Sequence, residues 1–78
     1  MEKEIGIVGI IVEDLDRVPE INNLLSEYGN SILGRMGLPC HDKSINIITV
    51  VIEAREEVIG AFVEKIQGLG GVKVKLGL

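Results

Sequence analysis

The 78-residue sequence contains no tryptophan, one phenylalanine, one tyrosine, one histidine and one cysteine. Each scarcity excludes something. A lone Cys40 cannot form an internal disulfide, and one cysteine with one histidine cannot build a four-ligand zinc site within a chain. Eight Lys and Arg against twelve Asp and Glu give a net charge of −4, which weighs against nucleic-acid binding carried by bulk positive charge. The apolar run Ile5–Val12 is eight residues long and holds two glycines, far short of the roughly 20 residues of a membrane helix. The first four residues, Met1-Glu2-Lys3-Glu4, lack the positive region and cleavage site of a secretory signal. The expected compartment is the cytoplasm, where a single thiol stays reduced.

What is abundant is aliphatic. Apolar residues make up 46% of the chain, too many for a disordered segment, and the core must come from Ile, Val and Leu. The length predicts one domain, residues 1–78. A domain this small buries only about 60–65% of its unfolded surface. With no disulfide or metal staple, oligomerisation is the remaining common remedy.

The pattern along the chain predicts six elements. Ile5 to Val12 is continuous and β-branched, the mark of a strand buried on both faces. Glu13-Asp14-Leu15-Asp16 ends it, with Asp16 as the expected N-cap of a helix that tolerates Pro19 in its first turn. Val18, Ile21, Leu24, Leu25 and Tyr28 recur at helical spacing, and Gly29 stops that helix. Ser31 to Leu38 reads as a strand containing Gly34 and Gly37, Pro39 to Lys43 as a turn, and Ser44 to Glu53 as the strongest strand. Val58, Ile59, Phe62, Val63, Ile66 and Leu69 form the stripe of a second helix, with Glu56 and Glu57 at the positive end of its dipole. Gly68, Gly70 and Gly71 break it, and Val72, Val74 and Leu76 alternate with Lys73 and Lys75 in a last strand.

The order is β-α-β-β-α-β. With right-handed crossovers it predicts an α+β, ferredoxin-like fold: a four-stranded antiparallel sheet with two helices on one face. Strands one and three are central, and the alternating lysines of strand four suit an edge that discourages stray pairing. On strand three Ile45, Ile47, Thr49 and Val51 fall on one side, and Ile48, Val50 and Ile52 on the other. Two helices cover one set, and the pattern does not say which. The uncovered set is an aliphatic patch of the kind that monomers rarely expose. Ile45, Ile47, Thr49 and Val51 are the candidate interface of a homo-oligomer, dimer or tetramer, joined face to face or edge to edge. A register error at the strand ends is the alternative.

Candidate chemistry is thin. Cys40 and His41 offer a thiolate and an imidazole to a metal shared across an interface, or are incidental residues of an exposed turn. Neighbours on an extended backbone point to opposite sides. Glu13, Asp14 and Asp16 cluster where strand one meets helix one; they either contact a ligand or a hard cation, or cap and solvate a loop. Arg35, set between Gly34 and Gly37, is placed to bind a carboxylate or phosphate bidentately, or is a solvated residue of a twisted edge strand. Arg35, Glu13 and Asp14 are the candidate ligand contacts. No strand carries an aromatic residue, which removes base stacking across the sheet. Gly6 and Gly9 lie within a strand and form no phosphate-binding turn. No catalytic residue, cofactor or metal site is readable, so an enzyme is not expected.

The segments IGIVGIIVED, LLSEYGNSILGRMGLP, SINIITVVIEA and VIGAFVEKIQGLGGVKVK resemble the small family of regulators of the iron-only hydrogenase system. The resemblance runs from about Ile5 to Val74, and its most specific piece is Gly34-Arg35-Met36-Gly37-Leu38-Pro39. It implies an ACT-like domain, akin to the regulatory domain of the nickel-responsive repressor, of a kind that assembles through its sheets and binds small effectors or metals between subunits. ACT effector sites place a glycine after strand one, and Glu13 to Asp16 has none. The nickel repressor uses histidines and a cysteine around its third strand, and strand three here has neither. A nickel site is therefore not expected. The implied role is a non-enzymatic regulatory or ligand-sensing domain, with a small-molecule effector and a protein partner as the expected contacts. The alternative is a structural or accessory module for metalloenzyme maturation without a ligand site. A βαββαβ core of this length leaves no room for a helix-turn-helix, so no direct contact with nucleic acid is expected.

Overall fold

The computed structural model describes residues 2–77. Strand β1 (Glu4–Val12) leads through a 3-10 turn (Leu15–Arg17) into helix α1 (Val18–Glu27). Strand β2 (Ile32–Cys40), a second 3-10 turn (His41–Lys43) and strand β3 (Ile45–Ala54) form a hairpin, followed by helix α2 (Glu56–Gln67) and strand β4 (Val72–Gly77). The sheet order is β2-β3-β1-β4, and every neighbouring pair is antiparallel. This is the ferredoxin-like α+β arrangement, with β1 and β3 in the centre.

The covered face is set by strand parity. Val8, Ile10 and Val12 of β1 and Ile48, Val50, Ile52 and Ala54 of β3 are buried. They pack with Ile21 and Leu25 of α1 and with Ile59, Phe62 and Ile66 of α2. Phe62, the largest fully buried side chain, meets Tyr28 edge to face with ring centroids 5.0 Å apart. The Lys65 ammonium lies 5.2 Å from the centre of the Tyr28 ring; its hydrogen bond to the Tyr28 side chain, then the charge interaction with it, hold the Lys65 pKa above the usual lysine value.

Several sequence expectations are corrected. Strand β1 is buried on one face only, because both helices lie on the same side: Ile5 and Ile7 are 53% and 55% exposed. The capping residue is Asp14, not Asp16. Its Oδ1 accepts from the Asp16 N–H at 3.0 Å and caps the 3-10 turn, and α1 begins only at Val18, with no side-chain cap. Strand β2 continues through Pro39 and Cys40, which were expected in the turn. An edge strand has an outer side where no N–H is needed, so proline does not end it. The hairpin closes instead through Ser44, the one non-glycine residue with positive φ (54°) among the described residues.

The acidic end of β1 is fastened to the start of β4. The N–H groups of Glu13 and Asp14 both donate to the Gly71 carbonyl, at 2.8 and 2.9 Å. Gly71 has φ +68°, and a Cβ there would lie 2.5 Å from the Asp14 Cβ, so two independent constraints require glycine. Gly71→Ala is expected to cost more than about 1 kcal/mol of stability, measurable as a lowered urea midpoint at unchanged slope.

Candidate functional site: the open sheet face and the Arg35 groove

The face of the sheet away from the helices is built from residues of matching parity on all four strands. Cross-strand partners define its rows: Leu38–Ile47–Ile11–Lys73, then Met36–Thr49–Gly9–Lys75, then Gly34–Val51–Ile7–Gly77. Cys40 pairs with Ile45 beyond the first row, and Glu53 with Ile5 beyond the last. Ile45, Ile47, Thr49 and Val51 therefore share the open face, and the helices cover the other set. The sequence pattern alone had not decided between them.

The surface is larger than strand three predicted. Ile5, Ile7, Met36 and Leu38 are each more than half exposed, and Ile11, Ile45, Ile47 and Val51 are half-buried only by their neighbours. Between the aliphatic rows, Gly9 and Thr49 make a shallow dip. Lys73 and Lys75 border the patch along β4 and Glu53 closes one end. This is an apolar centre with a polar margin, the composition of an interaction surface. Ile5, Ile7 and Ile11 were missed as surface residues because a strand read as buried on both faces hides its parity, and Met36 and Leu38 because nothing in the sequence aligns β2 with β3. The antiparallel register was the missing information.

On the opposite side, Arg35 projects from β2 toward α1, and its Nη2 donates to Asn22 Oδ1 at 2.9 Å. The groove beside it holds about 320 Å³ and is lined by Val18, Asn22, Gly37, Pro39, Asn46 and Ile48 among others. One cation, two side-chain amides and an apolar floor suit a small ligand with a carboxylate or phosphate group. A second hollow of about 510 Å³ lies between the first turn of α2 and Leu76 of β4, lined by Glu56, Glu57, Ile59 and Gly60. Its two carboxylates make it a poor anion site.

Arg35 is not brought together with Glu13 and Asp14. Arg35 is on β2, at one edge of the sheet, whereas both acids are tied to the β4 edge. Glu13 lies 3.6 Å from Lys73 and Asp14 lies 3.6 Å from Arg17, and Arg17 also pairs with Glu20 at 2.6 Å. Each of these carboxylates has a cationic neighbour at the surface. Cys40 ends β2 on the open face, and His41 begins the 3-10 turn. Among the described residues no group of three or more His, Cys, Asp or Glu side chains is placed to hold a metal, and no helix is long and apolar enough to cross a membrane.

A four-stranded antiparallel sheet with two helices on one face and an apolar open face defines a small ferredoxin-like α+β domain. Its family is shown by sequence. The chain belongs to the TM1266-like family, described as "Iron-only hydrogenase system regulator, putative", whose model matches residues 4–76. It is similar over 97% of its length to the uncharacterized protein TM1266 from Thermotoga maritima, with 31% identity, a TM-score of 0.91 and 96% of that chain covered. A formyltetrahydrofolate deformylase from Pseudomonas putida KT2440 shares the fold alone. There the TM-score is 0.69 at 11% identity, over 96% of this chain and 29% of that one. No curated protein matches.

Because Arg35 is exposed and hydrogen-bonds only Asn22 among the described residues, Arg35→Ala is expected to change unfolding free energy by no more than about 0.5 kcal/mol. Denaturant titration of the two proteins checks this.

Proposed function

We propose that this chain is a non-enzymatic, cytoplasmic regulatory domain of the iron-only hydrogenase system that acts as a homo-oligomer and senses a small anionic effector. The membership of the family supports the regulatory role. The observation that carries the association is the open face, on which three consecutive cross-strand rows present Ile, Val, Leu and Met to solvent. A second copy laid against that face would bury Ile45, Ile47, Val51 and their neighbours, with side chains seated in the dip at Gly9 and Thr49. In a domain of this size such burial supplements a small core. The effector reading rests on the groove at Arg35, whose amide neighbours leave the guanidinium without a carboxylate partner among the described residues. Signals would pass to a partner protein.

Light scattering during size exclusion tests the association. The wild-type chain is expected to run as a dimer or tetramer at micromolar concentration, and Ile7→Lys, which puts a charge in the middle of the open face, to shift it toward the 8.5 kDa monomer. A wild-type monomer would sink this reading. For the effector, a thermal-shift screen of carboxylates and nucleotides should raise the midpoint of the wild-type chain, since a ligand bound to the native state stabilises it. The rise should be lost in Arg35→Ala. Absence of any shift would favour a structural or accessory module.

A further inference from the structure

We infer that the hollow between α2 and β4 is a second binding site, for a small organic cation: an ammonium group carried on a short aliphatic chain. The site lies apart from the Arg35 groove and takes the opposite charge, so it goes beyond the anionic effector proposed above and does not depend on it.

The hollow opens because α2 does not close over the end of β4. Leu76 pairs opposite the buried Val8, and Val72 and Val74 share its parity, so all three stand on the face that the helices cover. Val72 and Val74 pack against the core, whereas Leu76 remains 45% exposed. Between Leu76 and the first turns of α2 lies a space of about 510 Å³, bounded by Glu56, Glu57, Ile59 and Gly60. Small-molecule sites span roughly 300–1,000 Å³.

Gly60 keeps that space open. It lies inside α2, where glycine is the least favourable residue short of proline. Its φ is not positive, and a Cβ there would meet nothing within 4 Å. Neither backbone conformation nor the chain's own packing therefore requires glycine at this position. The consequence of the missing side chain is an unfilled volume over Leu76.

Charge selects the ligand. Glu56 and Glu57 are exposed at the rim, and the ion pairs among the described residues involve neither of them. Glu4, opposite Ala54 and on the same face of β1 as Val8, adds a carboxylate at this end of the sheet. Against these stand Arg55, just before the helix, and the positive end of the α2 dipole, worth about half a charge. The balance is negative. No three His, Cys, Asp or Glu side chains among the described residues are placed to hold a metal, so the complementary cation is organic. Its ammonium group would donate to the Glu56 and Glu57 carboxylates, in charge-assisted hydrogen bonds. Its chain would be buried against Leu76 and Ile59.

Titration of the full-length, isotope-labelled chain with hexylammonium chloride, followed by amide chemical shifts, tests the site. Saturable shifts are expected at Glu56 to Gly60 and at Leu76. Hexanol and hexanoate, which share the chain and lack the positive charge, should bind at least about tenfold more weakly, the loss of a charged hydrogen bond. Replacing both rim acids, Glu56→Gln with Glu57→Gln, should weaken hexylammonium by a similar factor. Gly60→Leu should abolish the saturable shifts by filling the hollow. Gly60→Ala should raise the thermal midpoint of the free chain, because alanine favours the helix and nothing obstructs it. Equal binding of hexanol or hexanoate, full affinity in the double glutamine variant, shifts centred on Ile47 and Thr49 of the open face, or no saturable shift at all overturns the cation site. Each of those results leaves the Arg35 groove standing, since its own test is the screen of carboxylates and nucleotides.

Discussion

Val8, Ile10 and Val12 of β1 and Ile48, Val50 and Ile52 of β3 are buried beneath α1 and α2, and the remaining architecture depends on that contact. These β-branched side chains stand on the two central strands, paired in register from Glu4 opposite Ala54 to Val12 opposite Asn46. Because successive residues of a strand point to opposite faces, fixing one set against the helices fixes the other set in solvent. The open apolar face is the geometric complement of the core.

The helix layer has limited width. Helix α2 closes over the centre and reaches β4, while α1 leaves a groove between itself and β2. As a result β2 is held almost entirely by its ladder to β3 and stays exposed along its middle. Arg35 occupies the gap, where Asn22 is its hydrogen-bond partner. The acidic junction after β1 serves a different purpose. The Glu13 and Asp14 amides grip Gly71 and hold the first and last strands together, so its carboxylates are surface groups of a structural latch.

The legibility of these features in the sequence was uneven. The six elements and their order could be read from periodicity, because a half-exposed helix and an aliphatic strand repeat differently along the chain. Strand β1 was misjudged on both faces, since Ile5, Ile7 and Ile11 look like core when nothing marks the side away from the helices. Asp14 and Asp16 are equivalent cap candidates in sequence, and only the path into the 3-10 turn separates them. Pro39 looked like the end of β2 because the sequence does not show which residues of that edge strand turn their backbone groups away from β3. Arg35, Glu13 and Asp14 were grouped by chemistry, and the strand order sets them at opposite edges.

The sequence by itself determined the ferredoxin-like order, the aliphatic composition of the core, the lack of aromatic platforms on the sheet and the family. These depend on residue type and spacing, which are local. Tertiary structure alone decided which face of β3 is open, that Ile5, Ile7, Met36 and Leu38 join Ile47 and Val51 in one surface, and that Arg35 looks toward Asn22. Each of those outcomes needs the side of the sheet on which the helices pack and the register of strands far apart in the chain, and both are set by long-range pairing.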